Sequence, residues 1–542
     1  MNSKTLPNLL FLVILLCYLY YANRYIEATS ITVDNEKYYV LFDDAMISMR
    51  YAYNLAHGNG LVWNAGERVE GFTNPVWVGF MALFHLFPIA AAQISFYIQW
   101  SGALFLAATL FFVRGLVEQF TDELLPMLAA VAFTAFYSPL ISWSLLGMEV
   151  SVLTLILTAV LWIILRNGTA RFTPWTLRYG FATQGSAYIL LAVSTLIRLD
   201  MVVPFIVILS VMFIVQKEYR RQHLIWGLGL LLLFLGGQTL ARFFYYGDFL
   251  PNTYYLKVTG WPFPLRIMRG LYTLIWFAYY NNWAFMLLPF TLLLFRRDWK
   301  VILLLTVLLG QMAYSVYVGG DAWEHHGGAN RYIALTMPVF FVLFALSVQE
   351  LIEQAVTSLG SRWEAMNTAP LVYVLIFAMA ILHFNLLLGD WRYIERWEFN
   401  RKPDYVAGNE RNLDIALALQ NTTRPGTSVA VIGAGTIPYL LPDYYAIDIL
   451  GKTDPVIARG PVSASMGIPD VPFMRPGHMK WNYAYTIGEL KPDVIVSLWE
   501  GTDEEAAPYL QDYVIAEIGK KINVFLRKDS PNVLWDRVGI KN

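Results

Sequence analysis

A single cysteine, Cys17, in 542 residues excludes a disulfide framework or a thiolate metal centre built within one chain. Charge is scarce too. Asp, Glu, Lys and Arg make up 15% of the residues, where soluble domains carry roughly 25%. The net charge of -1 leaves no basic excess, which excludes a chain built to bind nucleic acid. There is no internal repeat and no low-complexity segment. What fills the space is apolar: 57% hydrophobic residues, 16% aromatic, and a mean hydropathy of +0.47. A water-exposed surface cannot be assembled from that stock, so the excess must face lipid.

Apolar runs long enough to cross about 30 Å of hydrocarbon recur over the first seven-tenths of the chain. They predict spans near 6–22, 93–113, 123–137, 148–165, 182–197, 201–216, 224–241, 276–295, 301–317, 332–348 and 369–388. The run from Pro75 to Ala91 is read as a helix lying in the interface, which leaves about eleven crossings. The first run lacks a small-residue cleavage site and reads as a retained anchor. Three short loops carry clustered cations: Arg166, Arg171 and Arg178; Lys217, Arg220 and Arg221; and Arg296, Arg297 and Lys300. Cationic loops stay in the cytoplasm. The loops 23–74, 242–275 and 318–331 and the tail after 389 are therefore expected together on the outer side of the cytoplasmic membrane. In that tail, residues 389–542, charges rise and apolar runs shrink to strand length at Ser428–Ile432 and Asp493–Ser497. Residues 412–419 carry helical periodicity. An extracytoplasmic α/β domain follows a transmembrane module of residues 1–388.

The first outer loop holds adjacent acids, Asp43 and Asp44. Adjacent carboxylates repel, so one could hold a proton near neutral pH and act as a base, or both could share a divalent cation. Either could instead cap the helical run 45–56, and the roles can coexist.

The string Asp43-Asp44-Ala45-Met46-Ile47-Ser48, with Arg50-Tyr51-Ala52 and Glu67-Arg68-Val69-Glu70-Gly71-Phe72-Thr73-Asn74-Pro75 after it, resembles the GT-C superfamily of lipid-phosphosugar-dependent glycosyltransferases. It is most similar to the branch that holds the mycobacterial terminal β-(1→2) arabinofuranosyltransferase. Further matches are Leu146-Gly147-Met148-Glu149, Tyr246-Gly247-Asp248, Pro251-Asn252-Thr253-Tyr254-Tyr255-Leu256-Lys257, Gly319-Gly320-Asp321 and Ile447-Asp448-Ile449-Leu450-Gly451. The resemblance implies a mainly α, polytopic GT-C fold with Asp43 or Asp44 as catalytic base. It also implies a polyprenyl-phosphate sugar as donor, such as decaprenyl-phosphoryl-arabinose, and a glycan or glycoconjugate as acceptor.

A lipid-borne phosphate at the interface needs cations beside the acids. Lys257, within a matched motif, and Arg242 and Arg331 nearby are the candidates; interfacial snorkelling is the plainer role for the two arginines. Glu149 and Asp248 lie in matched strings, though an acid opening a helix is favoured by the dipole alone. Arg198 and Asp200 read as a local ion pair. Asp321 with Glu324, His325 and His326 could bind a metal, although adjacent histidines are a weak signal. His478 could touch an acceptor or simply sit in a turn. Gly433-Ala434-Gly435 follows a strand, but Pro438 stands where a dinucleotide fingerprint needs a small residue. The alternatives to a transferase are a polysaccharide or lipid transporter and a noncatalytic assembly subunit. Transporters spread polar groups near the midplane, whereas this chain gathers them in outer loops.

Overall fold

A computed structural model describes residues 5–169, 172–175, 183–323, 329–359, 369–386, 392–463 and 471–540. Arg171, Arg178, Glu324, His325 and His326 lie outside them. Among the described residues six helices are long and apolar enough to cross a membrane: Thr5–Thr29, Ala91–Val117, Val150–Asn167, Lys217–Tyr246, Trp299–Tyr317 and Met337–Ser358. Leu124–Phe136 and Ser138–Leu145 would add a seventh, bent by 48°. Pro139 opens the second half of that pair, where its missing N–H interrupts the helical ladder.

The remaining expected crossings are shorter apolar helices, among them Gln184–Ile197, Leu199–Val215, Trp283–Phe295 and Pro370–Asn385. Each expected span thus has an apolar helix among the described residues, several of them short of a full crossing by length. The expected span 276–295 is also broken. Asn282 sits at φ +64 and its side chain accepts from the Ala284 amide, so one helix, Phe263–Tyr280, ends and another begins. The Phe263–Tyr280 helix occupies much of what composition presents as a loop. Pro75–His85 is a short helix that buries Trp77, Val78 and Met81 and leaves Leu83 exposed, with Leu86 and Phe87 exposed just beyond it.

The C-terminal domain is built on a six-stranded sheet. Its order is Tyr445–Asp448, Ser428–Val431, Val494–Ile495, Ile522–Arg527, Tyr513–Ile518, Gly539–Ile540. The first three strands are parallel and the rest antiparallel. Val429, Ala430 and Val431 are buried, as β-branched and small residues between covered faces should be. Helix Val406–Thr422 packs beside the sheet through Leu413, Ala416 and Leu419.

This domain rests on the loop region after the first helix. Arg50 is buried with five acceptors: the carbonyls of Trp63, Pro438, Leu441 and Tyr444, and Asn64 Oδ1. Trp63 Nε1 donates to the Ala434 carbonyl at 3.1 Å, and Asn409 Nδ2 to the Leu41 carbonyl at 3.0 Å. Charge-assisted bonds of this kind contribute more than neutral ones, so the two parts are fixed in one register.

Candidate active site

Helix Asp43–Ala56 opens at the junction of bundle and sheet domain. Phe42 is its extended N-cap and makes no side-chain cap bond, so neither Asp43 nor Asp44 caps its own helix. Both stand in the first turn, where the dipole favours acids. Their carboxylates leave in different directions.

Asp43 reaches the C-terminal domain. Its Oδ1 accepts from the Thr436 amide at 2.9 Å and Oδ2 from the Gly435 amide at 3.3 Å. It therefore supplies the open end of helix Thr436–Leu440, whose own N-cap is Gly435. The two glycines of Gly433-Ala434-Gly435 serve this approach: a β-carbon on Gly435 would overlap the Asp43 carbonyl oxygen, and one on Gly433 would stand 3.2 Å from Asp43 Oδ2. Burial pushes the Asp43 carboxyl up, against the pull of Lys452 and the Thr436 amide.

Asp44 sits among cations. Lys452 Nζ donates to Oδ1 at 2.7 Å and Arg331 Nη1 to Oδ2 at 3.0 Å. Burial alone would raise this carboxyl, but Lys452, then Arg331 and Lys257, hold it well below the usual range. Arg331 is fixed from behind: Asp321, fully buried, pairs with its Nε at 3.3 Å and accepts its backbone amide at 3.1 Å. Gly319 and Gly320, at φ +87 and +81, turn the chain so that Asp321 returns onto Arg331. Asp321 is thus a buttress for the cation.

Lys257 lies in helix Asn252–Val258 with its stem against Gly477. Burial pushes it down to about 8, helped by Arg331 and opposed by Asp44 and Asp321. Among the described residues it makes no hydrogen bond or ion pair. His478 is buried between Trp323, edge-on at 5.5 Å, and Trp499, stacked at 5.7 Å. Burial, then Lys452, pushes it down to about 3, so the ring is neutral near pH 7.

Nothing in the sequence singles out Lys452, though it directly follows the matched Ile447–Gly451 string. The turn that presents it is fully specified. Asp448 accepts from the amides of Leu450, Gly451 and Thr453 at 2.8–3.1 Å, and Gly451 has φ +76. Asn252 Nδ2 donates to the carbonyls of Gly451, Lys452 and Asp454. Its own amide donates to the Glu70 carbonyl at 3.0 Å. A β-carbon on Gly71 would meet Thr453 Cγ2 and Tyr51 Oη. Three matched strings, around 70, 252 and 448, therefore meet at one turn.

Other candidates lie apart from Asp44. Arg242, expected at a donor phosphate, is a buried partner of Glu70 and bonds the Phe249 carbonyl, so its charge is already compensated. Glu149 belongs to a second buried network, pairing with Arg198 at 3.2 Å and accepting from Asn74 Nδ2 at 3.1 Å. Arg198 in turn grips Asp200 through Nε and Nη2, at 2.6 and 2.8 Å. Asp248 makes a half-exposed bridge to Arg459 at 2.7 Å. Among the described residues no three His, Cys, Asp or Glu side chains gather into a metal site.

Residues 403–533 match a family model described as a domain of unknown function, DUF8728. No curated protein sequence matches the chain. Among solved structures, ArnT from Cupriavidus metallidurans bound to undecaprenyl phosphate superposes with a TM-score of 0.53 at 13% identity. The match covers 95% of this chain and 97% of ArnT. The oligosaccharyltransferase of Archaeoglobus fulgidus in its apo form gives a TM-score of 0.52 at 11% identity, covering 98% of this chain and 76% of that one. Its complex with an inhibitory peptide and a dolichol-phosphate gives 0.52 at 11%, covering 99% and 76%. This chain has the GT-C fold. In this fold the Asp44 cluster draws on the region after the first helix, two later segments and the C-terminal domain.

Proposed function

We propose that the chain transfers a sugar from a polyprenyl-phosphate donor to a hydroxyl of a glycan or glycoconjugate, arabinofuranose being the sugar that the sequence resemblance favours. The observation that carries this reading is Lys257, a cation without a hydrogen-bond or ion-pair partner among the described residues, within electrostatic reach of an acid that two other cations already hold. A phosphate is the group such a triad of Lys257, Arg331 and Lys452 lacks. The neighbours of like fold include ArnT bound to undecaprenyl phosphate and AglB in complex with a dolichol-phosphate. A lipid phosphate is the matching donor class.

In this reading the acceptor oxygen bonds to the anomeric carbon as the carbon–oxygen bond to phosphate breaks. Asp44 takes the hydroxyl proton, and the three cations take up the charge of the leaving phosphate. With no donor present, Lys452 and Arg331 keep Asp44 a weak base. A bound phosphate competes for both cations and restores its basicity. Asp43 stays outside the proton transfer, occupied with helix Thr436–Leu440, and the neutral His478 with Trp499 offers a surface for the acceptor.

The deciding experiment incubates purified full-length protein with a panel of radiolabelled polyprenyl-phosphate sugars. Transfer is expected from a member of the panel, and robust transfer from a nucleotide sugar with no polyprenyl donor would overturn the reading. The loop cations favour a site on the outer face of the cytoplasmic membrane. Single cysteines at Asn59 and Asp529, in a background lacking Cys17, should both react with an impermeant maleimide on intact cells.

A further inference from the structure

Three buried cations around the site are satisfied by oxygen. Arg50 has five acceptors, Arg198 two carboxylates, and Lys480 the carbonyls of Ala458 and Tyr255 at 2.7 and 3.0 Å. Arg266 differs. It is 6% exposed, makes one hydrogen bond, from Nη1 to the Val258 carbonyl at 3.4 Å, and its Nε–H is sealed from solvent without a partner. Among the described residues no carboxylate lies against it. A guanidinium carries five N–H donors, and a buried charge left this incomplete is costly unless an anion completes it.

Its surroundings fix the level and the chemistry of that anion. The Arg266 guanidinium carbon lies 4.9 Å from the centroid of the Tyr317 ring and 5.5 Å from that of Phe263, and both rings are exposed. Below them Met268, Leu271 and Ile275, at helical spacing, form an exposed apolar stripe on helix Phe263–Tyr280. Such a stripe faces lipid, and the rings mark headgroup level. The stem is clamped, since a β-carbon on Gly319 would stand 3.2 Å from Arg266 Cγ. Helix Phe263–Tyr280 also begins without a side-chain cap, so its first free amides add positive potential beside the guanidinium.

We infer that Arg266, in the uncapped first turn of helix Phe263–Tyr280 and between two lipid-facing rings, anchors a site for the phosphate of an anionic bilayer phospholipid. This site is additional to the one proposed for the donor: Arg266 reaches Val258 from the lipid side, one residue beyond Lys257.

The test uses the full-length protein in bilayer discs and native mass spectrometry. Wild type should retain phosphatidylglycerol over phosphatidylcholine, Arg266→Gln should retain it about tenfold less well, and Arg266→Lys should fall between, having the charge without the fork. Polyprenyl monophosphate binding, measured on the same samples, should be unchanged. Equal phosphatidylglycerol retention by wild type and Arg266→Gln overturns the inference. Loss of polyprenyl phosphate in place of phosphatidylglycerol also overturns it, because Arg266 would then serve the donor. Displacement by inorganic phosphate at the same concentration overturns it in favour of a small-anion site. Should Arg266→Gln fail to fold, wild type decides: a higher melting temperature in phosphatidylglycerol than in phosphatidylcholine supports the site, and identical melting overturns it.

Discussion

Asp43 Oδ1 accepts the Thr436 amide proton at 2.9 Å although 393 residues separate the two in the chain. That bond gives the neighbouring acids different work, and the same substitution at each should separate them. Asp43→Asn offers one oxygen and one NH2 where two amides need acceptors, leaving a donor facing a donor, at a cost of about 1–3 kcal/mol. Asp44→Asn keeps an acceptor but cannot take a proton. Thermal melting should fall more for Asp43→Asn, whereas turnover with a polyprenyl-phosphate donor should fall about 10²–10⁴-fold for Asp44→Asn. Near-normal turnover of the Asp44 variant would remove it as the base.

Gly435 and Gly408 provide a matched pair. Adding a methyl at Gly435 drives it into the Asp43 backbone, while nothing lies within 4 Å of one at Gly408, inside helix Val406–Thr422. Gly435→Ala should destabilise by about 1–3 kcal/mol, and Gly408→Ala should stabilise by up to about 1 kcal/mol. Denaturation midpoints of the two purified variants decide this, and equal effects would contradict the close approach.

Lys257 makes pH informative. Its folded pKa, about 8, lies below the ordinary 10.5. The native chain therefore releases this proton earlier, and the stability contributed by this group rises from pH 8 to 10.5 and is least below pH 8. Phosphate recognition runs the other way, because the charge is lost in the same window. Donor kcat/KM should fall about tenfold per pH unit above pH 8. Lys257→Arg, always charged, should move that limb out of range; an unchanged profile would show that another group titrates.

Asn252 tests the turn that carries Lys452. Its Nδ2 faces three carbonyl oxygens, so Asn252→Asp sets a carboxylate against acceptors and should be worse than Asn252→Leu, which merely leaves them unpaired. Activity assayed alongside melting should rank wild type, Leu, Asp. The reverse order would mean that the amide is not what holds the turn.

Much of this was legible in the chain itself. The acid pair, the matched string ending in Lys257 and the Gly319-Gly320-Asp321 turn all converge near Asp44 or its supports, because each is a local motif with its own turn chemistry. Partners distant in the chain were not legible. An acid before a helical run reads as a cap, and nothing near Asp43 in sequence reveals that it serves a helix in another domain. Arg242 reads as a free interfacial cation because its counterion, Glu70, is 172 residues away. The break at Asn282 is hidden by the apolar residues on both sides, which sum to a span in any sliding window. Lys452 is not legible in the sequence because a lone lysine after a glycine carries no period.

Asp44 and Lys452 are 408 residues apart, which sets a schedule as well as a geometry. At roughly 5–20 residues per second, some tens of seconds of synthesis separate the acid from the cation that completes its surroundings. Throughout that interval Asp44 is without Lys452. The ion cluster therefore cannot form on the nascent chain until the turn after strand Tyr445–Asp448 has been made.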